Sequence, residues 1–221
     1  MTRKMMSPKV LVLAALFAVP APAWTASVAE QQLAAALTAK PDLQHGASLF
    51  TACVRCHNSD GSGEYDGDVP AIAGQYRGVV LRQLVDFHYG KRWDVRMEAV
   101  ANSHNLSGAQ DLADVAAYVS TLPRFTDPGR GDGQLLAHGM QVYQSECASC
   151  HGPSGQGDAR TVVPWLAGQH YKYLLREMYY TTDNRRPNLS SHRVFLDRFT
   201  RPDYEGVADY LSGLISPPSG Q

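Results

Sequence analysis

A five-residue pattern, Cys53-Val54-Arg55-Cys56-His57, returns 94 positions later as Cys147-Ala148-Ser149-Cys150-His151. Its surroundings return with it. Pro70-Ala71-Ile72-Ala73-Gly74-Gln75 matches Pro164-Trp165-Leu166-Ala167-Gly168-Gln169 at the same offset, and Val115 to Leu122 matches Val207 to Leu214 at an offset of 92. Self-similarity on this scale means two copies of one structural unit, each of roughly 80–90 residues. The second copy has lost a net two residues between Gln169 and Val207.

Each unit reads as three main helices. The first leads into the cysteines, from Leu43 to Cys53 and from Leu135 to Cys147. The second follows the Gly-Gln pair. Val80, Leu81, Leu84, Val85 and Phe87 fall there at helical spacing, as do Leu174, Leu175, Met178 and Tyr179 in the second copy. The third starts at a cap, Ser107 with Gln110 or Thr200 with Asp203. It buries Leu112, Val115, Ala116 and Val119, or Val207, Tyr210, Leu211 and Leu214. Between His57 and Pro70 the chain is glycine-rich and polar, hence a loop, and no segment reads as a strand. The fold class is all-α, with domains over 42–123 and 134–215 joined by a Pro- and Gly-containing linker over 124–133. The tail from Ser216 to Gly220 is expected to fray.

The N-terminus reads differently. Arg3, Lys4 and Lys9 precede an apolar run from Val10 to Val19, and Ala21-Pro22-Ala23 follows. This is the pattern of a secretory signal peptide over residues 1–23, with a second candidate cleavage site after Ala29. The run is shorter than the roughly 20 residues of a membrane span. A membrane therefore enters only by association or through an uncleaved leader, and the expected location is the periplasm. Three of the 20 basic residues and none of the 21 acidic ones lie in the leader, so the remainder carries a net charge of −4. No basic stripe neutralises phosphates, and nucleic acid is not an expected partner.

C-x-x-C-H is the attachment pattern of c-type haem. Cys53 with Cys56, and Cys147 with Cys150, can form thioethers to the two vinyl groups, and His57 and His151 then supply the proximal nitrogens. Competing readings are weaker. A redox disulfide belongs in a βαβ unit that is missing here. Zinc needs four ligands where each repeat offers three obvious ones. Two structural disulfides would leave the adjoining histidines unexplained. Two haem c groups follow.

The two C-x-x-C-H motifs, the two P-x-[IL]-A-G-Q segments and the closing Ala-x-Tyr helices resemble the dihaem cytochrome c4 family, two tandem class I cytochrome c domains, over about Leu43 to Leu214. The resemblance implies that the carbonyls of Pro70 and Pro164 orient His57 and His151, and that Gln75 and Gln169 lie in the haem surroundings. It also implies a methionine sixth ligand between the second and third helices. Met97, 22 residues after Gln75 in a polar, loop-like segment, fits that role for haem one.

Repeat two has Ser191 at the matching distance and no Met beyond Met178. His192 stands one position further on and is proposed as the sixth ligand of haem two, with an open or water-bound iron, His170 and Met178 as alternatives. His/Met ligation raises a haem potential relative to His/His, so unequal haems are expected. Arg185, Arg186 and Arg193 cluster nearby and could steer partners or pair with propionates. His45 and His138, at corresponding places before the first helix, read as capping or surface residues, and no partner for His88 or His104 can be identified from the sequence.

The expected function is electron transfer in the periplasm, from an exported dehydrogenase or quinol-oxidising complex to a terminal oxidase or reductase, without acid–base catalytic residues. The alternative is a haem enzyme or ligand sensor with an open coordination position at haem two. A thiosulfate-oxidising enzyme with a Cys ligand does not fit, since both thioether pairs consume all four cysteines.

Overall fold

The structure is a computed structural model that describes residues 26–214 except 103 and 107. The leader, the C-terminal tail from residue 215, and Ser107 as a helix cap lie outside the described residues. α1 (Val28–Thr38) comes first, and repeat one contains α2 (Leu43–His57), α3 (Arg77–His88), α4 (Val95–Ala101) and α5 (Ala109–Thr121). Repeat two contains α6 (Leu136–Val142), a π-helical turn (Tyr143–Cys147), α7 (Ala148–His151), α8 (Tyr171–Thr182), α9 (Ser190–Leu196) and α10 (Arg201–Gly213). Among the described residues there is no strand, only an isolated antiparallel bridge between Asp158 and Val163. The all-α expectation holds.

Each repeat is closed by its first helix crossing its last, α2 on α5 and α6 on α10. The crossings are tight because glycine sits at the point of contact. A Cβ on Gly46 would overlap the carbonyl of Asp114, and one on Gly139 would overlap the carbonyl of Gly206. The neighbouring histidines clamp the same crossings. His45 Nδ1 lies 2.9 Å from the buried carboxylate of Asp114, and His138 Nε2 lies 2.7 Å from Asp203. Phe50 packs on Tyr118 in one repeat where Tyr143 packs on Tyr210 in the other.

The repeats differ inside that first helix. Gly46 to Cys53 spans seven positions and Gly139 to Cys147 spans eight. The extra residue is absorbed by the π turn, where the Ala148 N–H donates to Tyr143 five residues back. Glycine at the crossing and cysteine at the pocket thus keep their places at both ends.

Three elements depart from the sequence reading. α1 precedes the repeated unit. It opens with a reciprocal Ser27–Glu30 cap, buries Ala29, Leu33 and Ala36 in the core of repeat one, and is held at its end by Arg77, which donates to the Ala36 and Ala39 carbonyls. The polar segment around Met97 is a helix, because Asp94 accepts from the Arg96 and Met97 N–H groups and nucleates α4. The segment around His192 is likewise helical. At the starts of the last helices, Asp111 accepts from Gly108 N–H, and Asp203 accepts from both the N–H and the hydroxyl of Thr200.

Two outcomes follow. Gly139→Ala and Gly46→Ala must push a helix crossing apart and are expected to cost about 1–3 kcal/mol in denaturant unfolding of the haem-loaded protein. The hydrogen bond to Asp114 raises the pKa of His45 above 6.5. The folded state then favours the imidazolium, a contribution present below the unfolded pKa and lost as pH rises through the folded one. His45→Ala should therefore lower the melting temperature more at about pH 5 than at about pH 8.

Candidate haem sites

α2 ends on His57, which is only 6 % exposed. Its Nδ1 lies 3.0 Å from the Pro70 carbonyl. A carbonyl can only accept, so Nδ1 carries the proton and Nε2 keeps its lone pair, the form that binds a metal. Burial lowers the imidazole pKa further and favours the neutral ring. The loop closes on the proline through Gly63, whose N–H donates to the His57 carbonyl at 3.1 Å. Gly63 has φ +73°, and a Cβ there would overlap Pro70. Cys53, Cys56, His57, Pro70 and Met97 line one cavity of about 250 Å³. The expected attachment, proximal and sixth-ligand residues of site one are thus brought together.

Site two repeats this with a difference. Gly157 N–H donates to the His151 carbonyl at 2.8 Å. Burial, and then the facing His192, push the His151 pKa down to about 4, against the opposing pull of the Pro164 carbonyl. The Pro164 carbonyl thus faces His151 from behind as Pro70 faces His57, with looser hydrogen-bond geometry. Its partner lies in front. The His151 and His192 rings stand 6.0 Å apart between centroids, at 83°. A metal–imidazole bond of about 2 Å on each side, plus roughly 1 Å from each nitrogen to its ring centre, adds to about 6 Å. Burial, then the Arg186 charge, lower the His192 pKa and keep that ring neutral too. The pair is spaced to hold one iron.

The alternatives stand elsewhere. Met178 packs in the apolar core of repeat two with Leu174 and Leu211. His170 is fully buried with both nitrogens engaged: Nε2 lies 2.8 Å from the Ser62 carbonyl and Nδ1 accepts from Gly129 N–H at 2.9 Å. The four cysteines are not paired in disulfides, and burial pushes the Cys53 and Cys147 thiols up to about 11. Buried neutral thiols beside a neutral imidazole suit thioether attachment better than a thiolate–metal site. The residues therefore fit two haem c groups.

Gln75 and Gln169 line the first cavity, but their amides reach across the domain joint. Gln75 accepts from Trp165 N–H and donates to the Trp165 carbonyl, each at 3.0 Å. Gln169 accepts from Ala71 N–H at 3.0 Å and donates to the Ala71 carbonyl at 2.7 Å. Ala71 and Trp165 are related by the same 94-residue offset as the glutamines. Tyr76 and His170 continue the pattern, donating to the carbonyls of Gln156 and Ser62 at 2.8 Å. The joint is a pseudo-twofold set of paired hydrogen bonds. The linker lies against it: Arg124 stacks on Trp165 at 3.8 Å and Phe125 packs near His170. Sequence reasoning had no access to these bonds, although the repeated Gly-Gln pair marked their position.

The arginines near His192 do not form a free cationic patch. Arg186 pairs with Glu177 at 3.1 Å and is largely buried. Arg185 stacks on Trp93 and Tyr180, and Arg193 lies 3.9 Å from Asp197.

The cytochrome c family profile matches residues 43–123 and again 136–214. Cytochrome c4 of Pseudomonas aeruginosa is 29% identical over 184 residues, covering 78% of this chain and 89% of that protein. The crystal structure of reduced recombinant cytochrome c4 from Pseudomonas stutzeri superposes with a TM-score of 0.70 at 25% identity, covering 79% of this chain and all of that one. Thiosulfate dehydrogenase (TsdBA) from Marichromatium purpuratum superposes with a TM-score of 0.68 at 26% identity, covering 78% of this chain and 40% of that one.

His170→Phe removes two hydrogen bonds at the joint and strands the Ser62 carbonyl and the Gly129 N–H. It is expected to cost about 2–4 kcal/mol in denaturant unfolding while leaving the spectra of both haems unchanged. A change of spin state at haem two would restore His170 as a ligand.

Proposed function

The chain belongs to the cytochrome c family, as a tandem dihaem protein of the cytochrome c4 kind with two covalently attached haem c groups, and from that premise we propose how its residues serve electron transfer. His57 and Met97 hold the iron of haem one, and His151 and His192 hold the iron of haem two. The observation that carries the second assignment is the 6.0 Å separation of the His151 and His192 rings. When bound, each haem supplies a one-electron ferric/ferrous couple.

The residues around the haems tune and shield that couple. The Met97 thioether sets site one to a higher potential than the two imidazoles of site two. The Pro70 carbonyl fixes His57 by its other nitrogen. No acid–base group is needed, because no proton or substrate atom is transferred.

The carrier works in the periplasm between a donor, an exported dehydrogenase or quinol-oxidising complex, and an acceptor oxidase or reductase. Residues 1–23 act as the export leader. The cap at Ser27 and the buried Ala29 support cleavage after Ala23, which leaves α1 whole, over cleavage after Ala29, which cuts it. Among the described residues no helix is long and apolar enough to cross a membrane.

Low-temperature EPR of the fully oxidised protein tests the ligand sets. Two low-spin species are expected, with one turning high-spin in His192→Ala and the other in Met97→Ala. A high-spin haem already present in the wild type would mean an open iron and favour a ligand-binding or catalytic role. A redox titration is expected to resolve two unequal midpoints, and equal midpoints would remove the His/Met against His/His assignment.

A further inference from the structure

The turn that leads from α8 to His192 is held by repeat one as much as by its own repeat. The Trp93 N–H donates to the Arg185 carbonyl at 3.1 Å, and the Arg185 guanidinium lies over the Trp93 ring at 4.9 Å. Asn188 donates to the buried carboxylate of Asp86, on α3, at 2.6 Å. Arg186 donates to Gln83, also on α3, at 3.2 Å.

Arg92 gathers these contacts. It is 8 % exposed and lies over the Phe87 ring at 4.5 Å. One terminal nitrogen donates to Gln83 at 2.6 Å. The other reaches the Tyr173 hydroxyl and the Glu177 carboxylate of α8, each at 2.8 Å. Glu177 binds Arg186 as well, and Gln83 accepts from both guanidinium groups. Two buried arginines thus share one carboxylate and one amide across the joint.

The same loop governs the other ligand. Trp93 is followed by Asp94, whose carboxylate accepts from the Met97 N–H at 3.2 Å. From this knot the chain runs four residues to Met97 and six, from Arg186, to His192.

We infer that Arg92 and Asn188 are positioning residues, Arg92 bracing both sixth-ligand segments at once and Asn188 bracing that of His192 alone. The inference rests on the reading of Met97 and His192 as sixth ligands. Arg92 acts on both segments, through Gln83 and Glu177 to Arg186 on one side and through its own loop to Asp94 on the other. Asn188 acts on the His192 side alone. Neither residue carries a thioether or an iron bond, and of the two only Arg92 lines the cavity of site one. A buried guanidinium shared among fixed acceptors resists displacement, because breaking one bond leaves the others short of a partner.

Cyanide titration of the oxidised dihaem protein tests this, since an external ligand binds in proportion to the fraction of time a sixth position is open. Loss of the red Met-to-iron charge-transfer band reports haem one, and loss of the anisotropic low-spin EPR signal reports haem two. Arg92→Leu is expected to tighten cyanide binding about tenfold at both haems, and Asn188→Ala by a similar factor at haem two only. Arg92→Lys, which keeps the charge but not the fork, should recover part of the wild-type behaviour. His170→Phe weakens the joint without touching either ligand segment and should change neither affinity.

Unchanged affinities in Asn188→Ala, which removes a single bond made by an exposed residue, overturn the role of Asn188 even where Arg92→Leu does not fold. Unchanged affinities in folded Arg92→Leu, or equal tightening in His170→Phe, overturn the shared bracing by Arg92. Failure of the underlying reading looks different: the wild-type signals themselves would be wrong, with a high-spin haem present or with His192→Ala leaving haem two unaltered.

Discussion

The backbone contact between first and last helices, at Gly46 in one repeat and Gly139 in the other, sets the frame for both haem sites. Each first helix carries the cysteines and the proximal histidine at its far end. Its position against the last helix therefore decides where the pocket floor lies. Only glycine lets the backbones approach this closely. The added residue in repeat two would have turned every later side chain by about 100° on a regular helix. The π turn removes that rotation, and Cys147 packs against the core of repeat two as Cys53 does against that of repeat one.

Within that frame the two sites are unequal in a consistent direction. His57 donates to the Pro70 carbonyl, while His151 faces the Pro164 carbonyl with looser geometry and meets a second imidazole in front. Site one thus fixes its proximal ligand through the loop of its own repeat. In site two the facing imidazole, His192, sits beyond a turn tied to repeat one through Asp86, Gln83 and Trp93.

Much of this could be read in the amino-acid order. The repeat, the helical class, the attachment residues and the surroundings of Pro70 and Pro164 follow from residue type and offset alone, because covalent and metal chemistry tolerates few substitutes. The expectation for His192 came from the lack of a Met at the matching distance in repeat two, and the structure sets its ring 6.0 Å from that of His151. Less legible were features that depend on backbone rather than side chains. α1 buries mostly alanine, so its apolar stripe is faint. α4 looked like loop because its stability comes from the Asp94 cap and its contact with α3. The π turn left a trace, a one-residue change of offset between the His-Gly pairs and the cysteines, which is easily taken for an alignment gap. The joint left almost none, since Gln75 and Gln169 bond to main-chain atoms whose residue types, Ala71 and Trp165, have nothing in common.

The paired bonds of that joint have a consequence for assembly. Residue i of one half meets residue j of the other, and j of the first meets i of the second, which is the rule of an isologous dimer interface. Such a surface is complementary to itself. The stretch from residue 124 to 133 keeps the halves at high effective concentration and adds its own contacts to the joint, through Arg124, Phe125 and Gly129. Because these bonds reach main-chain atoms, each half can carry different side chains at the joint, Ala71 in one and Trp165 in the other, and keep the same pairing.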